Sequence, residues 1–144
     1  MIINNTVRTQ RVQDIITALG SAGVIKFYSG AELNGINDDI SARTLIATCT
    51  LSSTPATVAN GVATFNAISD DLVTDATATI GIGIAMHSDG TRIFTGCCGV
   101  EVTHSPRVLN PTNTVFVLNS LAALAGGVTR LNSILITDGN KGNN

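Results

Sequence analysis

Histidine, serine and aspartate lie side by side near the middle of the chain, a combination that is used in nucleophilic catalysis. His87, Ser88 and Asp89 are consecutive, and His104 follows the next predicted strand. Neighbouring residues of a strand point to opposite faces, so Ser88 and His87 cannot form the hydrogen bond that a Ser-His-Asp set requires. The chain also lacks a nucleophile-elbow pattern. We therefore expect no catalytic residues and predict that the protein is not an enzyme.

Acidic residues and glycines offer a second kind of chemistry, the binding of a metal ion or a nucleotide. The acids occur in two groups, whose spacing matches no calcium loop, so they are interpreted as solvated turn residues: Asp38 and Asp39, then Asp70, Asp71 and Asp75. Gly81 and Gly83 lie inside a strand pattern with no helix after them, which is not the setting of a phosphate-binding loop. Close backbone approach, to a partner or within a bulge, explains these glycines better. No cofactor and no metal site is predicted.

The three cysteines, Cys49, Cys97 and Cys98, are an odd number without metal-ligand spacing. Cys97 and Cys98 would point to opposite faces of a strand, which disfavours a bond between them. The sequence favours buried thiols that act as small hydrophobic groups. A bridge from Cys49 to one of the pair remains open.

Composition limits the partners of this 144-residue chain. Charged residues make up only 12% of it, about half of the usual share of roughly 25%, which is unfavourable for a freely soluble monomer. We therefore expect much of the surface to be covered by other subunits, as in a homo-oligomer. The formal net charge is −2 and the arginines are scattered, so nucleic acid is not an expected partner. The longest apolar stretches fall far short of the roughly 20 residues that cross a membrane, and no signal peptide is visible, so synthesis in the cytoplasm is expected.

One amphipathic helix is predicted near the N-terminus. Val12, Ile15, Ile16 and Leu19 recur at helical spacing, and Gly20 stands where a left-handed residue would end the helix. Asn4, Asn5 or Thr6 is the expected cap, which places the helix at about residues 6–19. Arg8 and Arg11 lie on its polar face and are candidate contact residues.

The rest of the chain reads as strands, of which the clearest form a hairpin. Asp89-Gly90 separates two β-prone runs, 80–86 and 92–96, and predicts a type I′ turn. Large and small residues alternate in the first run, so one face is apolar and the other is nearly flat and suited to lying against another surface. Ile82, Ile84 and Ile93 complete the predicted interface with Arg8 and Arg11. Gly96 and Gly99 allow a bulge around the cysteine pair.

Regular turn spacing indicates a mainly β fold: an antiparallel two-sheet sandwich or jelly roll of about eight strands, with one short N-terminal helix. The segments 31–43 and 104–113 read as loops, and 121–125 suits a loop better than a helical turn. The predicted organisation is an N-terminal arm and helix at 1–22, a β-sandwich domain at 23–137 and a polar tail at 138–144.

The order of these elements resembles the small β-sandwich virion proteins of tailed bacteriophages. The resemblance covers about residues 7–137 and is carried by turn and strand signatures, namely 23–30, 45–52, 60–68, Asp89-Gly90-Thr91, Phe94-Thr95-Gly96, Leu118-Asn119-Ser120 and Gly126-Gly127-Val128. This group often has an aromatic residue in the strand where this chain has Ile82-Gly83-Ile84. Such proteins include capsid decoration and cement proteins and other head- and tail-associated components, and no catalytic residues are implied.

The resemblance implies a non-enzymatic structural protein, synthesised in the host cytoplasm and located on the capsid surface of the virion. Its partners would be the major capsid protein or other virion proteins, with neither nucleic acid nor membrane involved. The alternative is a tail- or fibre-associated β-sandwich module that binds a receptor or carbohydrate through loops 31–43 and 104–113. Sugar-binding faces use aromatic platforms, and the chain has one Tyr, four Phe and no Trp.

Overall fold

A computed structural model describes residues 2–103 and 107–137 of the chain. It confirms a mainly β fold with one short N-terminal helix. The elements in chain order are α1 (Asn5–Leu19), β1 (Val24–Tyr28), β2 (Leu45–Leu51), β3 (Ala56–Ala59), β4 (Val62–Phe65), β5 (Ile68–Ser69), β6 (Ala78–Thr79), β7 (Ile82–Met86), β8 (Arg92–Thr103), β9 (Val108–Asn110), β10 (Phe116–Leu118), β11 (Ala122–Ala123) and β12 (Leu131–Ile134).

Helix α1 follows the predicted pattern closely. The Asn4 side chain accepts the N–H of Thr6 at 2.8 Å, and the helix ends at Gly20, whose φ of 63° is in the left-handed region. Val12, Ile16 and Leu19 are buried in the same core as the strands. Burial of this apolar stripe stabilises α1, because an isolated helix of about this length is only marginally stable in water.

The main sheet has the strand order β12-β10-β8-β7-β1-β2-β5, with β9 also paired to β8. The β8 and β10 strands run parallel, so the predicted all-antiparallel arrangement is wrong for this pair. Residues 119–130 leave the sheet between β10 and β12 and form part of a separate ribbon, in which β11 pairs with β6. The β3 and β4 strands form a second two-stranded unit, and β3, β9 and β11 were not predicted.

The sheet nearly closes on itself, because its edge strand β12 returns to the segment that carries β4 and β5. Isolated bridges join Val62 to Thr137 and Asp71 to Thr129. The backbone N–H of Ala63 also donates to the carbonyl of Ile136 at 3.1 Å. A mixed, strongly wrapped sheet is therefore the observed architecture.

Both faces of the central strands are covered. On one face, Ile25, Phe27 and Ala85 pack into the main core with α1. On the other, Tyr28, Ile82, Ile84 and Met86 form a second cluster, against which Leu33 and Ile40 pack. Leu33 and Ile40 belong to the segment 29–44, which we call the strap. All five residues of β7 are buried as a result.

The turn between β7 and β8 is not the type I′ turn that the sequence predicts, whereas the turn between β3 and β4 has the φ values of that type. Between β7 and β8, Gly90 has a φ of 91° and Asp89 has no positive φ, and the N–H of Gly90 donates to the carbonyl of His87. This is a longer turn with glycine in the left-handed position, not type I′. The two-residue turn with two positive φ values is Asn60-Gly61, at 53° and 73°, between β3 and β4.

Candidate assembly interface

The two arginines of the predicted interface lie on the outer side of α1. Arg11 is exposed and Arg8 is half-buried. Arg11 lines a small groove of 260 Å³ together with Val12, Ile15 and the last described residues, Ile136 and Thr137. The groove thus combines a guanidinium with the half-buried side chains of Ile15 and Ile136, which is a composition typical of contact surfaces.

Ile82 and Ile84 are fully buried and must be removed from the predicted interface. Their side chains point into the second cluster, where the strap covers them. Arg92 holds the strap in place, because its Nη1 donates to the carbonyls of Ile36 and Asp38 at 3.1 and 2.9 Å. The apolar face of Ile82 and Ile84, which the sequence predicts as a contact surface for a partner, is therefore covered by the strap of the same chain.

The flat face of the same strand also meets an internal surface. A Cβ atom built on Gly83 would lie 2.6 Å from Cδ2 of Phe116, and one on Gly96 would lie 2.6 Å from Cβ of Val115. A Cβ atom on Gly81 would lie still closer to the carbonyl oxygen of Gly30, and one on Gly99 still closer to Oγ1 of Thr114. Close approach is thus the reason for these glycines, and the surface approached is the segment 110–116 or the strap.

Ile93 occupies a β-bulge and is half-buried against the main core. Ala85 pairs with Phe94 and Met86 pairs with Arg92, which leaves Ile93 without an opposite residue. A bulge around the cysteine pair, which the sequence allows, is therefore wrong in position, because Ile82 and Gly83 pair regularly with Cys97 and Gly96.

A set of exposed apolar residues, missed by sequence reasoning, lies on the ribbon beside β12. Leu72, Val73, Leu124 and Val128 are exposed by 69%, 68%, 68% and 49%, and we call them the apolar tip. The sequence signal for this set is the apolar pair Leu72-Val73, which directly follows the acidic pair Asp70-Asp71. A group of apolar side chains at this exposure is a feature of interaction sites.

The apolar tip is carried by a tightly hydrogen-bonded framework. Asp71 and Thr129 exchange both backbone hydrogen bonds, and the Thr74 N–H donates to the carbonyl of Gly127 at 2.9 Å. The buried Thr74 and Thr129 hydroxyls lie 2.8 Å apart and bond to each other. The apolar side chains are thus presented on an ordered support.

The acidic residues around the apolar tip hold turns. Asp71 accepts the N–H groups of Thr48 and Val73 at 2.8 and 3.0 Å, and Asp70 pairs with Arg130 at 2.9 Å.

The acidic residues of the strap also hold turns. Asp38 accepts two backbone N–H groups, and the hydrogen bond from the N–H of Ser41 lowers the pKa of Asp39. Within residues 2–103 and 107–137, no three His, Cys, Asp or Glu side chains come together to hold a metal ion.

His87 and Asp89 order the hairpin turn. The Nδ1 atom of His87 lies 3.2 Å from both the N–H and Oδ1 of Asp89, and Oδ1 accepts the N–H of Thr91 at 2.8 Å. Hydrogen bonds from Thr91 lower the pKa of Asp89. The other edge of the His87 ring packs against Gly20 at the end of α1. His104 lies outside the described residues.

All three thiols are free, so a bridge from Cys49 to the pair is not formed. Burial raises the pKa of the Cys49 thiol to about 11 and also raises that of Cys98. Burial, together with the negative charge of Glu32, also raises the pKa of Cys97. These thiols are protonated at neutral pH, which makes them poor nucleophiles.

No family model, curated protein or solved structure matches this chain. Of the helices in the described part of the chain, none has the length and apolar character needed to cross a membrane.

Proposed function

We propose that this protein is a non-enzymatic structural protein of a bacteriophage virion, and that it decorates or cements the capsid lattice. Its partners are then the major capsid protein or other virion proteins, together with further copies of itself. In this proposal it is synthesised in the host cytoplasm and acts on the capsid surface. The order of sequence elements supports the proposal through its resemblance to small phage virion proteins.

The observation that carries the proposal is the apolar tip. A chain with only 12% charged residues presents Leu72, Val73 and Leu124 to solvent on an ordered framework. A contact surface that is ordered before binding loses little conformational entropy on docking, which favours assembly. Burial of apolar side chains at about 25 cal/mol per Å² then supplies the driving force.

A tail- or fibre-associated module that binds carbohydrate is less well supported. Carbohydrate sites use exposed aromatic rings, whereas all five aromatic side chains here are buried or half-buried, namely Phe27, Tyr28, Phe65, Phe94 and Phe116. The strap, one of the two candidate ligand loops, packs on the sheet. A two-sheet sandwich or jelly roll stays a prediction as the finer description of the fold.

The proposal is tested on purified particles of a phage that encodes the chain. Electron cryomicroscopy is expected to show its density on the outer face of the head, at a copy number related to the lattice. Density at the tail or fibres would favour the receptor-binding alternative. A stable monomer that binds no capsid, tail or sibling chain would contradict the structural role.

Two helix variants distinguish folding from incorporation. Ile16→Asp places a charge in the core and is expected to unfold the protein, because Ile16 is buried. Arg11→Glu, on the exposed side of the helix, is expected to keep the circular dichroism spectrum and lower the copy number on particles. Normal incorporation of Arg11→Glu would remove the helix from the interface.

A further inference from the structure

A cleft of 420 Å³ separates the edge strand β12 from the segment that carries β4 and β5. The two edges are paired at both ends of the cleft. At one end Val62 bridges Thr137, and at the other Asp71 bridges Thr129. Similar lengths of chain, residues 62–71 and 129–137, connect these bridges. The two edges therefore face each other nearly in register across the gap.

The β4 edge turns peptide groups toward the cleft. The two-residue turn Asn60-Gly61 makes Ala59 and Val62 the hydrogen-bonded pair of the hairpin. Bonding alternates along such a pair, so the N–H and C=O groups of Ala63 and Phe65 point away from β3. Ala63 uses its N–H for Ile136 at the closed end. Phe65 is the next outward-facing residue and lines the cleft.

The β12 edge does the same from the other side. The N–H of Leu135 donates to the carbonyl of Val115 at 2.8 Å, toward β10. Ser133 pairs with Val117 two residues along, so Leu135 and Ser133 are the hydrogen-bonded residues of this antiparallel pair. Ile134 lies between Ser133 and Leu135, and its N–H and C=O groups therefore point away from β10. Ile134 also lines the cleft.

The side chains of the cleft are suited to an uncharged occupant. Phe65, Ile68 and Leu135 line the cleft, are half-buried and supply apolar surface. The polar residues among the lining are Thr64, Asn66, Asn132 and Ser133, and every residue that lines the cleft is uncharged. Two backbone edges with apolar and neutral polar side chains match the alternating groups of an extended chain.

We propose that this cleft binds an extended, uncharged polypeptide segment of a partner protein by strand addition. Such a segment satisfies the peptide groups of Phe65 and Ile134 at once, and its side chains contact the half-buried Ile68 and Leu135. At a rise of roughly 3.3 Å per residue, the opening opposite residues 131–135 accepts about four residues. This inference does not depend on the virion role and holds for any partner with such a segment.

The test uses a short peptide of alternating valine and threonine, acetylated and amidated so that it carries no charge. Titrated into ¹⁵N-labelled protein, it is expected to give saturable shifts of the Phe65 and Ile134 amides at millimolar concentration. The same peptide with N-methylated peptide groups lacks the donors and is expected not to bind. Equal binding of both peptides, or no saturable shift at these residues, would overturn the proposal.

A matched pair of variants tests the location. Ala67→Trp places a large side chain at an exposed position that lines the cleft, whereas Ala59→Trp makes the same change at an exposed position on β3 outside it. Ala67→Trp is expected to weaken peptide binding about tenfold, or about 1.4 kcal/mol, and Ala59→Trp to leave it unchanged. Native affinity in folded Ala67→Trp protein contradicts the assignment. If Ala67→Trp does not fold, the N-methylated peptide still decides the question.

Discussion

At the scale of residues, the packing of Phe116 explains the glycine at position 83 of β7. Its ring lies 6.0 Å from that of Phe27 at 88°, and 5.7 Å from that of Phe94 in a stacked arrangement. Such aromatic pairs contribute about 0.5–1.5 kcal/mol beyond the burial of their area. Gly83 leaves the space that the Phe116 ring fills. The glycine and the ring therefore depend on each other.

Gly83→Ala is expected to lower the free energy of unfolding by about 1–3 kcal/mol, because the added methyl group would overpack the core. The new Cβ would lie 2.6 Å from the Phe116 ring. Urea denaturation measures the loss. In a Phe116→Leu background the same change is expected to cost less than in the native protein, so additive losses would contradict the proposed contact.

The buried thiol of Cys49 predicts a pH dependence of stability. Its pKa is raised from 9.0 to about 11 in the folded chain, so the thiol contributes no penalty below pH 9. Between these values the unfolded chain ionises while the folded chain does not, and stability falls by about 2 kcal/mol as pH rises. Urea denaturation at several pH values is expected to show a shallower fall in Cys49→Ala. Identical slopes in the two proteins would contradict the shift.

At the scale of elements, the strap decides which surfaces are internal. It crosses the sheet without regular secondary structure, yet Leu33 and Ile40 close the second cluster over Ile82 and Ile84. The guanidinium of Arg92 anchors its middle, and that of Arg43 donates to the carbonyl of Ser29 near its beginning. A loop held by these contacts acts as a layer of the fold.

Arg92→Ala is expected to loosen the strap and to lower stability by about 1–3 kcal/mol, because two carbonyls lose a charged donor. Hydrogen exchange is expected to accelerate at residues 33–43 and to change little in α1. Arg130→Ala is the matched control, since its pair with Asp70 is exposed and such pairs contribute about 0–1 kcal/mol. Unchanged exchange in the strap of Arg92→Ala would show that apolar packing alone holds it.

At the scale of the whole molecule, the described surface carries two further candidate contact features besides the groove at α1. The apolar tip offers side chains on an ordered ribbon, and the cleft beside β12 offers peptide groups. The first suits a shape-complementary apolar partner and the second suits an extended chain. Because the apolar tip acts through side chains and the cleft through peptide groups, a substitution can change the apolar tip and leave the cleft intact.

Replacing both leucines of the apolar tip, Leu72→Ser with Leu124→Ser, is expected to weaken self-association or capsid binding at least about tenfold. Each leucine loses about 1.5–3 kcal/mol of burial energy in the complex. The melting temperature is expected to stay near that of the native protein, since both side chains are mostly exposed. Light scattering after size exclusion measures association. Val102→Ser on β8, an exposed valine outside both the apolar tip and α1, is the control, and native assembly of the double variant would exclude the apolar tip as an interface.

Local patterns in the sequence predicted most of the elements correctly. The apolar spacing and Gly20 define α1, and alternation with turn residues locates β1, β2, β7 and β8. These signals succeed because helix periodicity, capping and turn geometry depend on residues close in sequence. The strand β3 was missed although Asn60-Gly61, a strong hairpin signal, directly follows it.

Only the tertiary structure decided what each buried surface touches. Alternation showed that Ile82 and Ile84 share an apolar face, and the small residues showed that Gly83 needs a close neighbour. Both patterns look the same whether the covering surface belongs to a partner subunit or to the chain itself. The strap and Phe116, distant in sequence, supply those neighbours. Likewise, the parallel pairing of β8 with β10 and the cleft beside β12 arise from contacts between distant segments. Local spacing carries no information on them, because strand order and loop docking are set by the packing of the whole core.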